Sequence, residues 1–222
     1  MYYDTQTNNH GMRYDPIKAI VGPRPIAWIG SVSPEGVYNL APYSFFNLIS
    51  DEPPMMMFSS GGRKDTQRNI EASGEFTVSL VVDCLRENMN LSSAAVVADV
   101  DEFALAGLTP VTGVQVKAPR VGESPVALEC RLWKTVPLLP PHGESKPFWT
   151  VLIASIVGVH IDEAYIRDGR VDTAALQPVA RLGYMDYTRV SSESLFTLNR
   201  PAVDLKTGAV RVEDKPWDGR YP

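Results

Sequence analysis

The chain has 222 residues, 44% hydrophobic and 21% charged, proportions that show no drift towards disorder and suit one well-buried core. A net charge of −5 removes the broad positive field that binding to nucleic acid or an anionic membrane would exploit, and leaves room only for a local cationic pocket. Cys84 and Cys130 lack CxxC spacing and His10, His142 and His160 form no metal-ligating pattern, so we expect reduced thiols, a cytoplasmic protein and no metal.

The N-terminal MYYDTQTNNHG has no basic segment leading into an apolar one, so no secretory signal is read there. Residues 25 to 33, PIAWIGSVS, are apolar and β-rich. A Pro34-Glu35-Gly36 turn follows, and VYNLAPYSFFNLIS returns as the expected antiparallel partner. PMMMFSS, 54 to 60, and EFTVSLVV, 75 to 82, read as two further strands. Between them DTQRNIEAS reads as a short helix, with Asp65 or Thr66 as its N-cap and Gly74 where a C-terminal glycine belongs. From Asp83 to Gly107 the pattern is helical, in CLRENMNLSSAA and DEFALAG. Strand signals resume at VQVKA, VALECRLWKTV and FWTVLIASIVGVHID, the last two separated by the rim loop LLPPHGESKP. The apolar run from 148 to 161 is shorter than the roughly 20 residues of a membrane-spanning helix and rich in β-branched residues, so it reads as a buried strand. A turn at Asp168-Gly169-Arg170 leads into a mixed, polar C-terminal segment. Many strands, few helices and no βαβ alternation predict a mainly β fold, an antiparallel barrel or sandwich with helical insertions.

Two segments carry the chemistry. In FSSGGRKDTQRNI, glycines allow close backbone approach, the helix start presents unpaired N–H groups, and Arg63, Lys64 and Thr66 add charge and a hydroxyl. That combination suits a phosphate, although a solvated basic turn before a capped helix has the same composition. Neither GxxxxGK[ST] nor a GxGxxG following a strand is present. In NLAPYSFFN, Asn39 to Asn47, small and polar groups alternate with aromatics around Pro42, a mixture suited to a planar, partly polar cofactor or equally to a bulged core strand.

Taken in order, PRPIAWIGSVSPEGVYNLAPYSFFNLIS, PPMMMFSSGGRKDTQRNIEASGEF, ESPVALEC and RLGYMDYTRV resemble the flavin reductase-like proteins with an FMN-binding split β-barrel, a group that includes flavoredoxin and the reductase components of two-component monooxygenases. The resemblance spans about residues 15 to 190 of a single domain, 1–222, with 191–222 as a C-terminal extension. It implies an antiparallel Greek-key split β-barrel with a few short helices, a homodimer, and FMN at the subunit interface with its phosphate near Lys64-Asp65-Thr66. Residue by residue, Ser59, Arg63, Lys64 and Thr66 match the phosphate-holding segment. Asn39, Ala41, Ser44 and Asn47 match the strand lining the flavin ring and ribityl chain. Arg181, Tyr184 and Tyr187 match a segment that in such proteins can lie near the flavin or tie down the C-terminal part.

The activity implied is an NAD(P)H-dependent flavin reductase, with NADH or NADPH as reductant and a monooxygenase or other protein as electron acceptor. The alternatives are an FMN-binding electron carrier reduced by a protein partner, and a non-catalytic FMN-binding protein. Since flavins carry hydride and single-electron chemistry themselves, no catalytic side chain is required, and the sequence holds no Ser/His/Asp or Cys/His constellation. His160 reads as an outward-facing strand position. His142, in the rim loop, is the histidine better placed to approach a substrate.

Overall fold

The protein is described from a computed structural model, whose described residues are 1–139 and 148–212. His142 and most of the rim loop expected around it lie outside the described residues. Seven strands form the main sheet: β1 (Ala27–Val32), β2 (Tyr38–Tyr43), β3 (Phe46–Asp51), β4 (Pro54–Gly61), β5 (Glu75–Leu80), β6 (Val126–Leu138) and β7 (Trp149–Ile161). Their order is β2-β1-β5-β6-β7-β4-β3, with every pairing antiparallel. The two outermost strands, β2 and β3, are consecutive in the chain. The sheet therefore curls until its edges are joined by Ser44 and Phe45 alone, and Phe45 C=O accepts from Ser59 N–H at 2.8 Å. This is the split barrel that the resemblance implies.

VYNLAPYSFFNLIS is thus not one strand but two, each on its own edge of the sheet. Pro42 sits in β2, where an edge strand tolerates the missing N–H. The interior is filled by the side chains that alternation sends inward: Ala27 and Ile29 from β1, Met56 and Phe58 from β4, Phe76 and Val78 from β5, Leu152 and Ala154 from β7. The rings of Tyr43 and Phe58 lie 4.9 Å apart, and those of Phe58 and Phe76 meet edge to face at 5.8 Å. Each such fully buried side chain stabilises the barrel by roughly 1.5–3 kcal/mol.

β1 is buried on both faces, which explains its unbroken apolar run. On its outer face Trp28 packs with Val81, Leu85, Met89, Phe103 and Leu108, contributed largely by the stretch predicted to be helical. That stretch holds a 3-10 turn at Asp83–Leu85 and two short helices, α2 (Arg86–Leu91) and α3 (Glu102–Leu105). Trp28 Nε1–H donates to Ser92 Oγ at 2.9 Å and anchors the excursion to the barrel. The helix α1 (Asp65–Ser73) ends at Gly74, whose φ of 74° needs a glycine, as expected. Its N-cap is Lys64 rather than Asp65 or Thr66, and no side chain caps it.

VQVKA does not form the expected strand; Pro119–Val121 pairs with Pro110–Thr112 instead. The reason is a carboxylate. Glu129, 1% exposed on β6, accepts the backbone N–H groups of Val114 (2.8 Å), Gln115 (2.5 Å) and Val116 (2.9 Å), bending the segment round itself. His160 completes the shell, with Nε2 2.5 Å from Glu129 Oε1, so it is a half-buried partner rather than a purely outward-facing residue. Burial alone would raise the Glu129 carboxyl, but the Val114 N–H, then His160 and the other two N–H groups, outweigh it and hold the carboxyl at about 2.

Candidate functional site

A cavity of about 390 Å³ opens between β2, the N-terminus of α1 and the segment Ser92–Val96, within the size range of small-molecule pockets, roughly 300–1,000 Å³. Alternation along β2 turns Asn39, Ala41 and Tyr43 to it, and α1 brings Lys64 and Thr66. Because α1 has no side-chain cap, its first N–H groups are left for another acceptor. Lys64 is exposed and takes part in no ion pair among the described residues; the neighbouring cations do, Arg63 with Glu71 (2.7 Å) and Arg68 with Asp65. The Tyr43 hydroxyl is fully buried near Thr66 and Ser60, yet makes no well-directed hydrogen bond to either. Burial, ahead of those nearby hydroxyls, pushes its ionisation upward, so it stays a neutral donor. An uncapped helix start, a free ammonium and an orphaned buried hydroxyl around one cavity suit an oxyanion.

Beneath this surface lies a buried polar network. Thr66 Oγ1 donates to Asn39 Oδ1 at 2.7 Å, Ser31 Oγ donates to the same oxygen at 3.2 Å, and Asn69 Nδ2 donates to Ser31 Oγ at 3.2 Å. Asn39 Nδ2 donates to both oxygens of Glu102, 3.1 and 3.0 Å away, and Leu40 N–H donates to one of them at 3.0 Å. Glu102, 6% exposed, also lines the cavity. Burial pushes its carboxyl up, against the opposing Leu40 and Asn39 bonds and with Asp101 adding in the same direction.

The residues singled out in the sequence fall into three places. Asn39, Ala41, Lys64 and Thr66 share the cavity. Asn47 and Ser59 lie on the opposite, outer face of β3 and β4, in register with Met57 and Val151, and Ser44 sits at the link between the two edges. Arg63 points to Glu71. Arg181 and Tyr184 belong to a separate small sheet, where Val179–Arg181 pairs with Arg24–Pro25 and Tyr187–Arg189. The Arg181 guanidinium lies 4.4 Å from the Tyr187 ring and donates to the Tyr184 carbonyl at 2.5 Å. With Asp83, Arg86 and Arg189 it lines a second cavity of about 500 Å³. The two places are not remote: Arg24, in the small sheet, lies 5.9 Å from the Phe45 ring. Phe45 and Phe148 are 40% and 67% exposed, and both rings meet Trp149 edge on.

Tyr43 and Glu102 escaped the sequence reading. Tyr43 stands inside NLAPYSFFN, one aromatic among three, and Glu102 reads as an ordinary first-turn acid of DEFALAG. Nothing local marks either as facing a cavity. Cys130, within the barrel, has its thiol pushed up to about 12 by burial, with Glu129 adding, which makes it inert. Among the described residues no group of three or more His, Cys, Asp or Glu could hold a metal ion, and no helix is long and apolar enough to cross a membrane.

Residues 22–176 match the flavin reductase like domain. An uncharacterized protein of Aquifex aeolicus is 36% identical over 185 residues, covering 81% of this chain and 91% of its own. Among solved structures, nitrilotriacetate monooxygenase component B from Bacillus cereus superposes with a TM-score of 0.81 at 31% identity, covering 89% of this chain and 98% of that one. Flavoredoxin of Desulfovibrio vulgaris (Miyazaki F) gives 0.70 at 27% identity, covering 82% and 94%.

Proposed function

The chain belongs to the flavin reductase-like family, and on that premise we propose that it is an FMN-binding oxidoreductase, an NAD(P)H-dependent flavin reductase whose flavin phosphate sits at the N-terminus of α1. The observation that carries the reading is the convergence of the uncapped first turn of α1, the unpaired Lys64 and the orphaned Tyr43 hydroxyl on one cavity. Hydride and single-electron transfer are the chemistry FMN supplies when bound. The chain contributes binding and orientation. Lys64 and the first-turn N–H groups hold the phosphate, while Ala41 keeps the wall of β2 low enough for a ligand to lie against it. Asn47, Ser59, Ser44 and the exposed Phe45 and Phe148 form a second, partly aromatic surface. A homodimer would bring that surface, with Arg181 and Tyr184 beside it, against the cavity of a second copy. The likeness to a monooxygenase component B supports a monooxygenase as the electron acceptor. Two unpaired thiols agree with a cytoplasmic protein.

The absorbance spectrum of the purified protein tests this directly. Bound flavin should bleach within seconds of adding NADH or NADPH without oxygen, and the protein should scatter light as a dimer. Failure to retain FMN sinks the reading. The likeness to a flavoredoxin favours a second one, an FMN-bearing electron carrier, which predicts bound flavin that NAD(P)H leaves oxidised and a protein donor reduces.

A further inference from the structure

Glu102 takes its place through the N-cap of α3, where Asp101 Oδ1 accepts from Phe103 N–H at 2.8 Å, and it reaches across to β2. An ionised carboxylate only accepts hydrogen bonds. With Glu102 ionised, Asn39 must turn its NH₂ towards it, as observed, and its Oδ1 towards Thr66 and Ser31. Thr66 has one hydroxyl proton and gives it to Asn39. What Thr66 then shows to the cavity are lone pairs, the wrong polarity for an anion.

We propose that Glu102 is a positioning residue whose protonation, relayed through the Asn39 amide, decides whether Thr66 offers the cavity an acceptor or a donor, so that the site takes up a proton together with a phosphate. Suppose Glu102 gains a proton from solvent. One oxygen becomes a donor while the other still accepts Leu40 N–H. The amide can then turn over: its Oδ1 accepts from Glu102, and its two N–H bonds donate to the Thr66 and Ser31 oxygens. The Thr66 proton is released towards the cavity, where the neutral Tyr43 hydroxyl stands as a second uncommitted donor. Both arrangements keep Glu102, Asn39, Leu40 and Thr66 partnered. Ser31, which already accepts from Asn69, is the group that gives up its acceptor on reversal. That loss favours the carboxylate arrangement until an anion accepts the Thr66 proton and offsets it.

The surrounding charges act in the same direction. Lys64 and Asp65 line the cavity, and Asp65 is engaged by Arg68. Asp101 precedes Glu102 on its own helix, Asp99 lies in the adjoining groove, and Tyr38 of β2 packs on Phe103 from the other side. Burial already favours the neutral form of Glu102, and a phosphate entering beside it adds negative charge that favours it further.

This inference rests on the reading that a flavin phosphate occupies the cavity, and calorimetric titration separates the two. FMN and riboflavin are titrated into the full chain between pH 7.5 and 8.5, where the phosphate of free FMN is already doubly ionised, in two buffers of different ionisation enthalpy. We expect about one proton taken up per FMN and none per riboflavin, with the Kd for FMN rising towards roughly tenfold per pH unit. In Glu102→Gln the side-chain amide can accept from Leu40 and donate to Asn39 permanently. That variant should bind FMN without proton uptake, with a flat pH profile, and at pH 8.5 at least as tightly as wild type. FMN bound more tightly than riboflavin with no proton uptake by wild type would overturn the role of Glu102 and leave the phosphate site standing. Proton uptake unchanged in Glu102→Gln would overturn it as well. FMN and riboflavin bound alike would overturn both. The wild-type proton count decides even if the variant fails to fold.

Discussion

Glu129 and Glu102 are both buried carboxylates, 1% and 6% exposed, yet their ionisation is displaced in opposite directions. Burial raises both. The difference is the number of donors each collects: three backbone N–H groups and His160 surround Glu129, whereas Glu102 has only the Asn39 amide and Leu40 N–H, with Asp101 beside it. An over-supplied carboxylate acts as a staple, holding residues 114–116 in place whatever the solvent pH. An under-supplied one is left able to change state, and it is the one that lines the cavity.

Several substitutions break or sharpen this contrast. The largest effect belongs to Glu129→Gln, which leaves donors facing an amide with one acceptor oxygen and should cost about 3 kcal/mol by urea denaturation. It should leave FMN affinity alone. Because the native carboxyl sits at about 2, below its ordinary 4.5, the stability it contributes is present above 4.5 and lost as pH falls towards 2. The gap between wild type and variant should therefore close over that range; a gap independent of pH would show that Glu129 is not a charged staple.

Lys64→Ala is next. A charge-assisted hydrogen bond to phosphate is worth roughly 1.5–3 kcal/mol, so FMN should bind about tenfold more weakly or worse, and riboflavin far less so. Equal losses for the two ligands would remove Lys64 from the phosphate site. His160→Gln should cost about 1 kcal/mol, since the three N–H groups on Glu129 remain, and a loss as large as that of Glu129→Gln would make the histidine the principal partner. The smallest change in stability is expected for Glu102→Gln, within about 1 kcal/mol near neutral pH. Its sign of pH dependence is opposite to that of Glu129. A carboxyl raised in the folded state contributes fully below its ordinary 4.5 and loses that contribution as pH rises through its folded value. Stability should thus shift in favour of Glu102→Gln between pH 5 and 8, as followed by thermal unfolding. A shift the other way would make Glu102 a second staple.

Much of the fold was legible in the chain. Strand alternation in β4 and β5, the glycine closing α1 and the apolar run of β7 are local patterns that local physics enforces. The strand expected at VQVKA failed because its backbone donors are claimed by Glu129, which lies 13 to 15 residues further along the chain. VYNLAPYSFFNLIS divided because two consecutive strands had to reach opposite edges of a closing sheet.

By itself the sequence determined the mainly β character of the chain, the phosphate-suited composition around Lys64 and the absence of a Ser/His/Asp constellation, since these follow from residue type and short spacing. Only the tertiary structure decided which polar groups were free. Tyr43 is orphaned and Lys64 unpaired, whereas Thr66 and Asn39 are already committed to a network that ends at Glu102, 62 residues beyond the Leu40 N–H it accepts. A carboxylate's state depends on how many donors converge on it in a dry place, and donors brought together from β2 and α3 leave no mark in the local pattern of either segment.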